Sequence, residues 1–171
     1  TALVSVAPDA LVRQMLFPVK YADLIESASE RYGVDEYLIC AVIKCESDWD
    51  SKATSSAGAV GLMQLIPSTS QEVARLGLVS ASAYDPDNLT DPATNIEYGT
   101  AYLAYLQSNL SSRDQVVAAY NAGLGAVSGW LSQGEDISNQ IRYAETATYL
   151  VRVNEAYERY EQFYPNGIAA A

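Results

Sequence analysis

Glu46 is the residue in this sequence best placed to act as an acid. It lies three residues after Ile43, four after Val42 and seven after Ile39, so on a helix its carboxyl shares the face that these apolar side chains would bury. A carboxylate there is costly to leave ionised. Its pKa is expected to rise toward neutrality, which is what a general acid needs near physiological pH. The plainer alternative is a glutamate at a helix C-terminus whose head escapes into solvent, and the residues alone leave both readings open. Glycosidic cleavage ordinarily uses two carboxyl groups, about 5 Å apart for retention and about 6.5–9.5 Å apart for inversion. Asp48 and Asp50 follow Glu46, but Asp48 projects from another side of the helix end, and both read as solvated loop acids.

The stretch Ser55 to Gln64, Ser-Ser-Ala-Gly-Ala-Val-Gly-Leu-Met-Gln, carries glycines where the backbone could need positive φ or a close approach. It ends in two side chains able to meet a ligand. No Lys-Ser or Lys-Thr pair follows, which disfavours a phosphate cradle. Tyrosine occurs 13 times against two Phe and two Trp, and a ring bearing a hydroxyl suits sugars, which present both a stacking face and hydrogen-bonding groups. Tyr102, Tyr157 and Tyr160 read as half-buried helix residues. Tyr120 differs, because Asn121-Ala-Gly follows it at a helix end where its ring could face a cleft.

Several helices must position these residues. Tyr21, Leu24, Ile25, Ala28 and Tyr32 form one helical face, with Gly33 as the stop. Asp35 is the expected N-cap of the helix that carries Glu46, which should end near Ser47. A loop from Asp48 to Gly61 leads to a short helix from Pro67 to Leu76, with Thr69 and Glu72 as its capping box. Asp91-Pro92 announces a long helix through Ile96, Gly99, Leu103 and Leu110. Short helices follow at Val116–Tyr120 and Ala126–Leu131, and a long one spans Tyr143–Phe163. No run has the period of a strand, so the expected class is all-α.

A net charge of −11 disfavours a nucleic-acid or anionic-membrane partner, since polyanion binding rests on clustered Lys and Arg. The absence of histidine removes Ser-His-Asp and Cys-His catalysis and the commonest zinc ligand together. Cys40 and Cys45 sit five apart on one helix, about 8 Å between Cα atoms, beyond the roughly 7 Å reach of a disulfide. They read as structural thiols. No apolar run is long enough to span a membrane, and residues 1–10 lack the pattern of a signal peptide.

Taken together, the pieces resemble the catalytic domain of soluble lytic transglycosylases. Four motifs appear in order: Glu46-Ser47, Gly61-Leu-Met-Gln-Leu-Ile-Pro67, Ala118-Ala-Tyr-Asn-Ala-Gly123 and Glu145-Thr-Ala-Thr-Tyr149. Asn88-Leu, Asp91-Pro92, Asn95-Ile96 and Gly99 also fit, and the resemblance runs from about Tyr21 to Phe163. It implies a lysozyme-like fold of the goose-type lysozyme and transglycosylase kind, with a cleft for the glycan strands of peptidoglycan. One glutamate, matched by Glu46, would act first as acid and then as base, closing a 1,6-anhydro ring with no cofactor and no metal. Ser55, Gln64 and Tyr120 match substrate-contacting residues. Met63 would line the cleft as an apolar floor, and Asn121 would hold the turn behind Tyr120. Ser47, Glu145 and Tyr149 would support the site from behind. Two departures stand out: Arg142 rather than proline before Tyr143, and Cys45 directly before Glu46.

The resemblance further implies residues 19–165 as the catalytic domain, with 1–18 as an extension or linker and 166–171 as a tail. A monomer is expected, working in the cell envelope or secreted, with an export or anchor segment outside these 171 residues. A lysozyme-type hydrolase and a peptidoglycan-binding module that does not cut are the competing readings. The first would need a second carboxylate to activate water. The second would have no use for the acid.

Overall fold

The structure is a computed structural model and describes residues 11–132, 137, 141 and 143–170. Among the described residues the α-helices follow in the order α1 (Ala22–Tyr32), α2 (Glu36–Ser47), α3 (Pro67–Arg75), α4 (Pro92–Asn109), α5 (Arg113–Ala122), α6 (Leu124–Leu131) and α7 (Ala144–Phe163), with a 3-10 turn at Ile168–Ala170. Residues 11–16 are also helical. There is no strand among the described residues, only isolated bridges pairing Val60 with Thr54 and with Leu65.

The expected helix signals operate. Asp35 accepts from the Tyr37 amide at 2.8 Å, and Asp91 from the Thr94 amide at 2.8 Å with Pro92 opening the helix. Gly33 ends α1 with φ 66°. One expectation is corrected. No side chain caps α3: it begins at Pro67 after extended Ile66, so Thr69 is already inside the helix, and Glu72 bonds Arg75 instead.

α2 is the centre of the molecule. Leu38 to Ile43 are buried without interruption, so this helix has no solvent face over that stretch. α7 packs along α2 and also against α5, while α4 packs on α1 and bridges toward α3 and α5. Two apolar clusters result. The larger joins α1, α2, α5 and α7; the smaller gathers Leu65, Val73, Val79, Leu89, Tyr98 and Ala101 around α3 and α4. Tyr102 and Tyr120 pack against both clusters, which puts these two rings on the seam between them.

Packing continues past both expected boundaries. The Phe17 carbonyl accepts from Tyr164 Oη and the Pro18 carbonyl from Tyr160 Oη. Ile168 is fully buried, with its amide on Glu36. An apolar side chain that finds a place in the core draws its segment in with it, whatever the composition around it.

Candidate active site

Glu46 occupies the last turn of α2, where the fully buried helix runs out. The next two residues leave by an unusual path: Asp48 has φ 50° and Trp49 φ 68°, both left-handed and neither glycine. The path is held by Trp49, which is buried and donates its indole N–H to Tyr160 Oη at 2.9 Å, and by a Lys44–Asp48 ion pair. The sharp exit turns the chain away and leaves the Glu46 side chain at the edge of a cleft of about 540 Å³, shared with Ser55, Gln64, Tyr102, Tyr120 and Glu145.

Tyr149, on α7, donates its hydroxyl to Glu46 Oε1 at 2.7 Å. Burial pushes the Glu46 carboxyl up to about 7; the Tyr149 hydrogen bond and the charge of Arg152 pull it down, and Glu145 raises it again. Burial therefore wins over the donated hydrogen bond. Tyr149 and Tyr120 are themselves pushed well above the usual phenol range by burial, so both hydroxyls stay protonated and able to donate. Asp48 and Asp50 are exposed and line no part of the cleft, as expected of loop acids.

The loop opposite Glu46 is fastened by backbone hydrogen bonds. Ser47 Oγ donates to the Leu62 carbonyl at 2.7 Å, joining the end of α2 to this loop. Asn95, fully buried on α4, accepts from the Met63 amide at 2.7 Å and donates to the carbonyls of Val60 and Leu89. Gly61 has φ 81°, and a Cβ there would collide with the Asn95 amide and the Leu89 carbonyl. Gly99 makes room on α4 for the Met63 side chain, which is fully buried. Met63 thus does not form a floor of the cleft. Its thioether fills the gap over Gly99, and its carbonyl accepts from Tyr120 Oη at 2.8 Å.

Gln64, at φ 47°, commits its amide hydrogens to the carbonyls of Ala53 and Gly61, which orients its side chain along the cleft wall. Ser55 is exposed, and its oxygen accepts from the Ala59 amide, so its own proton is free to donate outward. Asn121 lines the cleft and accepts from Thr146 Oγ at 2.8 Å, tying the end of α5 to the start of α7. Glu145, expected behind the site, is an exposed residue of the cleft itself.

Asn95 and Gly99 appeared in the sequence only as parts of a helix start; their role as a clasp depends on contacts with a loop more than thirty residues away. Tyr102 is half-buried, as expected, yet it also lines the cleft and tilts against Tyr120 with ring centroids 5.6 Å apart. The spacing of Tyr98, Tyr102 and Tyr105 on one helical face was the available signal. Arg142 lies outside the described residues; Tyr143 is exposed and meets Trp130 edge-on. Cys40 and Cys45 are free thiols, both raised by burial, Cys45 to about 11, so neither is a nucleophile at neutral pH.

Helices wrapped on a buried central helix, with one half-buried glutamate at its end facing a cleft, make a lysozyme-like arrangement. The transglycosylase SLT domain family matches residues 23–142, and the chain belongs to that family. It is 35% identical over 168 residues to the membrane-bound lytic murein transglycosylase C of Edwardsiella ictaluri, covering 84% of this chain and 47% of the relative. Over 155 residues it is 32% identical to the soluble lytic murein transglycosylase of Escherichia coli K12, covering 86% of this chain and 24% of that one. The crystal structure of the 70 kDa soluble lytic transglycosylase of Escherichia coli superposes with a TM-score of 0.80 at 31% identity, covering 89% of this chain and 26% of that one. An inactive Glu-to-Gln mutant of the Pseudomonas aeruginosa Slt gives the same TM-score at 30% identity, covering 91% and 26%. The chain therefore spans less than half the length of these relatives.

Proposed function

We propose that this chain is the catalytic domain of a peptidoglycan lytic transglycosylase, cleaving the β-1,4 bond between N-acetylmuramic acid and N-acetylglucosamine. The observation that carries the reading is the state of Glu46: a cleft carboxyl raised to about 7, and so available as acid and as base at the same pH. Protonated Glu46 gives its proton to the glycosidic oxygen as the bond from C1 breaks. The resulting carboxylate, held by Tyr149, takes the proton of the muramoyl C6 hydroxyl, and that oxygen bonds to C1 to close a 1,6-anhydro ring. The departing sugar keeps one proton and the enzyme regains one, so neither water nor metal enters the balance. One copy of the chain suffices. Ser55, Gln64, Tyr120 and Asn121 would hold the strand, with Ser47 and Met63 fixing the loop behind them.

The names of the relatives support this reading, as does the inactivity of the Pseudomonas aeruginosa Slt mutant that carries glutamine in place of a glutamate. The substrate places the work outside the cytoplasm, in the cell envelope. One observation favours a second reading. Glu145 opens on the same cleft and could activate water for a hydrolase.

Mass spectrometry of soluble products from purified peptidoglycan separates the two. Muropeptides ending in 1,6-anhydro-N-acetylmuramic acid are expected from the wild type, with loss of at least about a thousandfold in Glu46→Gln. Products one water heavier would establish the hydrolase. Full cleavage by Glu46→Gln would remove Glu46 from the mechanism.

A further inference from the structure

The cleft has a neighbouring groove that the reaction does not use. Beyond Tyr102 and Thr69, which line the cleft, a groove of about 330 Å³ runs between α3 and α4 and reaches the start of α6. Tyr102 and Thr69 line the groove as well, so the two spaces adjoin across these shared side chains. The three rings form a series. Tyr120 tilts against Tyr102 at 5.6 Å, and Tyr102 stacks on Tyr105 at 6.5 Å with only 16° between the planes. Tyr105 is half-buried and faces Leu76, which is 43% exposed, and Leu124. The polar groups at the rim include the Ser68 and Thr69 hydroxyls and the Glu72 carboxylate, the last held by Arg75 at the helix surface.

Aromatic rings with apolar neighbours and a hydroxyl and carboxylate at the edge form the surface expected for a pyranose: an apolar sugar face over the ring, with hydroxyls and an amide toward the polar rim. A polymer seated in the cleft has to leave it, and this groove lies next to it across Tyr102 and Thr69.

We propose that the Tyr102–Tyr105 groove is an accessory saccharide site, which holds a sugar of the same glycan strand beyond those in the cleft and makes the enzyme favour longer strands. This rests on the glycan-cleaving reading above. Tyr105 supplies the outer stacking face, Leu76 and Leu124 the apolar walls, and Thr69 and Glu72 the hydrogen-bonding rim. The occupant is the sugar backbone rather than the peptide stem, because among the described residues none that lines the groove is a cation able to meet the stem's carboxylates, and the neighbouring Arg75 is engaged by Glu72.

The test uses the full chain and a ladder of peptide-free glycan oligomers, from the shortest that is cleaved upward, with matching peptide-bearing strands. Tyr105→Ala should lower kcat/KM on long strands on the order of tenfold, the scale of one lost aromatic contact, while leaving the shortest substrate within about twofold. Leu76→Arg, at an exposed position where folding is not at stake, should do the same by filling the groove. Equal loss on short and long strands, no loss on either, or loss confined to peptide-bearing strands would overturn the site. Binding of the same ladder to Glu46→Gln, followed by calorimetry with and without Tyr105→Ala, separates this idea from the catalytic one. If the wild type cuts nothing, the catalytic reading fails, and a length-dependent affinity that Tyr105→Ala abolishes still establishes the groove. Affinity independent of length overturns it in either case.

Discussion

At Glu46 one buried group couples catalysis to stability. Its folded-state pKa of about 7 lies above its ordinary value near 4.5, so between these pH values the native protein holds a proton that the unfolded chain has released. Stability from this group is fully present below about pH 4.5 and is lost as pH rises through about 7. Glu46→Gln keeps the shape without the charge. Its melting temperature should match the wild type near pH 4.5 and exceed it increasingly up to pH 8, by an amount corresponding to about 2–3 kcal/mol. A difference independent of pH would show that the carboxyl is not held up by burial. Tyr149→Phe acts in the other direction on the same group. The lost hydrogen bond stabilised the carboxylate, so the alkaline limb of the pH–activity profile should move up by about one unit, with the fold intact. An unmoved limb would mean that Tyr149 does not act through Glu46.

At the level of elements the candidate acid sits at one helix end facing one loop, and that loop is held by its own backbone bridges at Val60 and by side-chain to backbone bonds from the neighbouring helices. Asn95 satisfies the buried Met63 amide and Leu89 carbonyl, and adds a second donor to the Val60 carbonyl, which also accepts from the Leu65 amide. Asn95→Ala leaves all three without that partner and should cost about 3 kcal/mol or more, measured by urea unfolding, with activity reduced even where the protein remains folded. A loss under about 1 kcal/mol would show that the loop is held by other means. The left-handed pair Asp48 and Trp49 belongs to the same scale. Two strained residues persist because the buried Trp49 anchors them, and the strain lies directly behind the candidate acid.

The whole molecule carries a charge of −11, and its cleft adds Glu145 beside Glu46. Cell-wall preparations that retain anionic polymers should therefore repel it. Raising ionic strength from about 0.01 to 0.15 M shortens the screening length from about 30 to about 8 Å, so kcat/KM on such walls should rise several-fold while that on short peptide-free glycans barely changes. A fall on both would indicate that local attraction at the site outweighs the overall field.

The sequence by itself determined the helices, their caps at Asp35 and Asp91, and the order of the four motifs, because helix periodicity, capping and motif spacing are local properties read along the chain. It also placed Glu46 on the buried face of α2, but left its exposure open. The tertiary structure decided that point, since the pKa is raised by burial against the opposing pull of Tyr149 and Arg152, which arrive from about a hundred residues away on α7. It likewise decided that Met63 lies under the cleft wall rather than in it, that α3 starts without a side-chain cap, and that Glu145 faces the cleft. Burial is a property of what packs over a residue, and no spacing along a chain states what that will be.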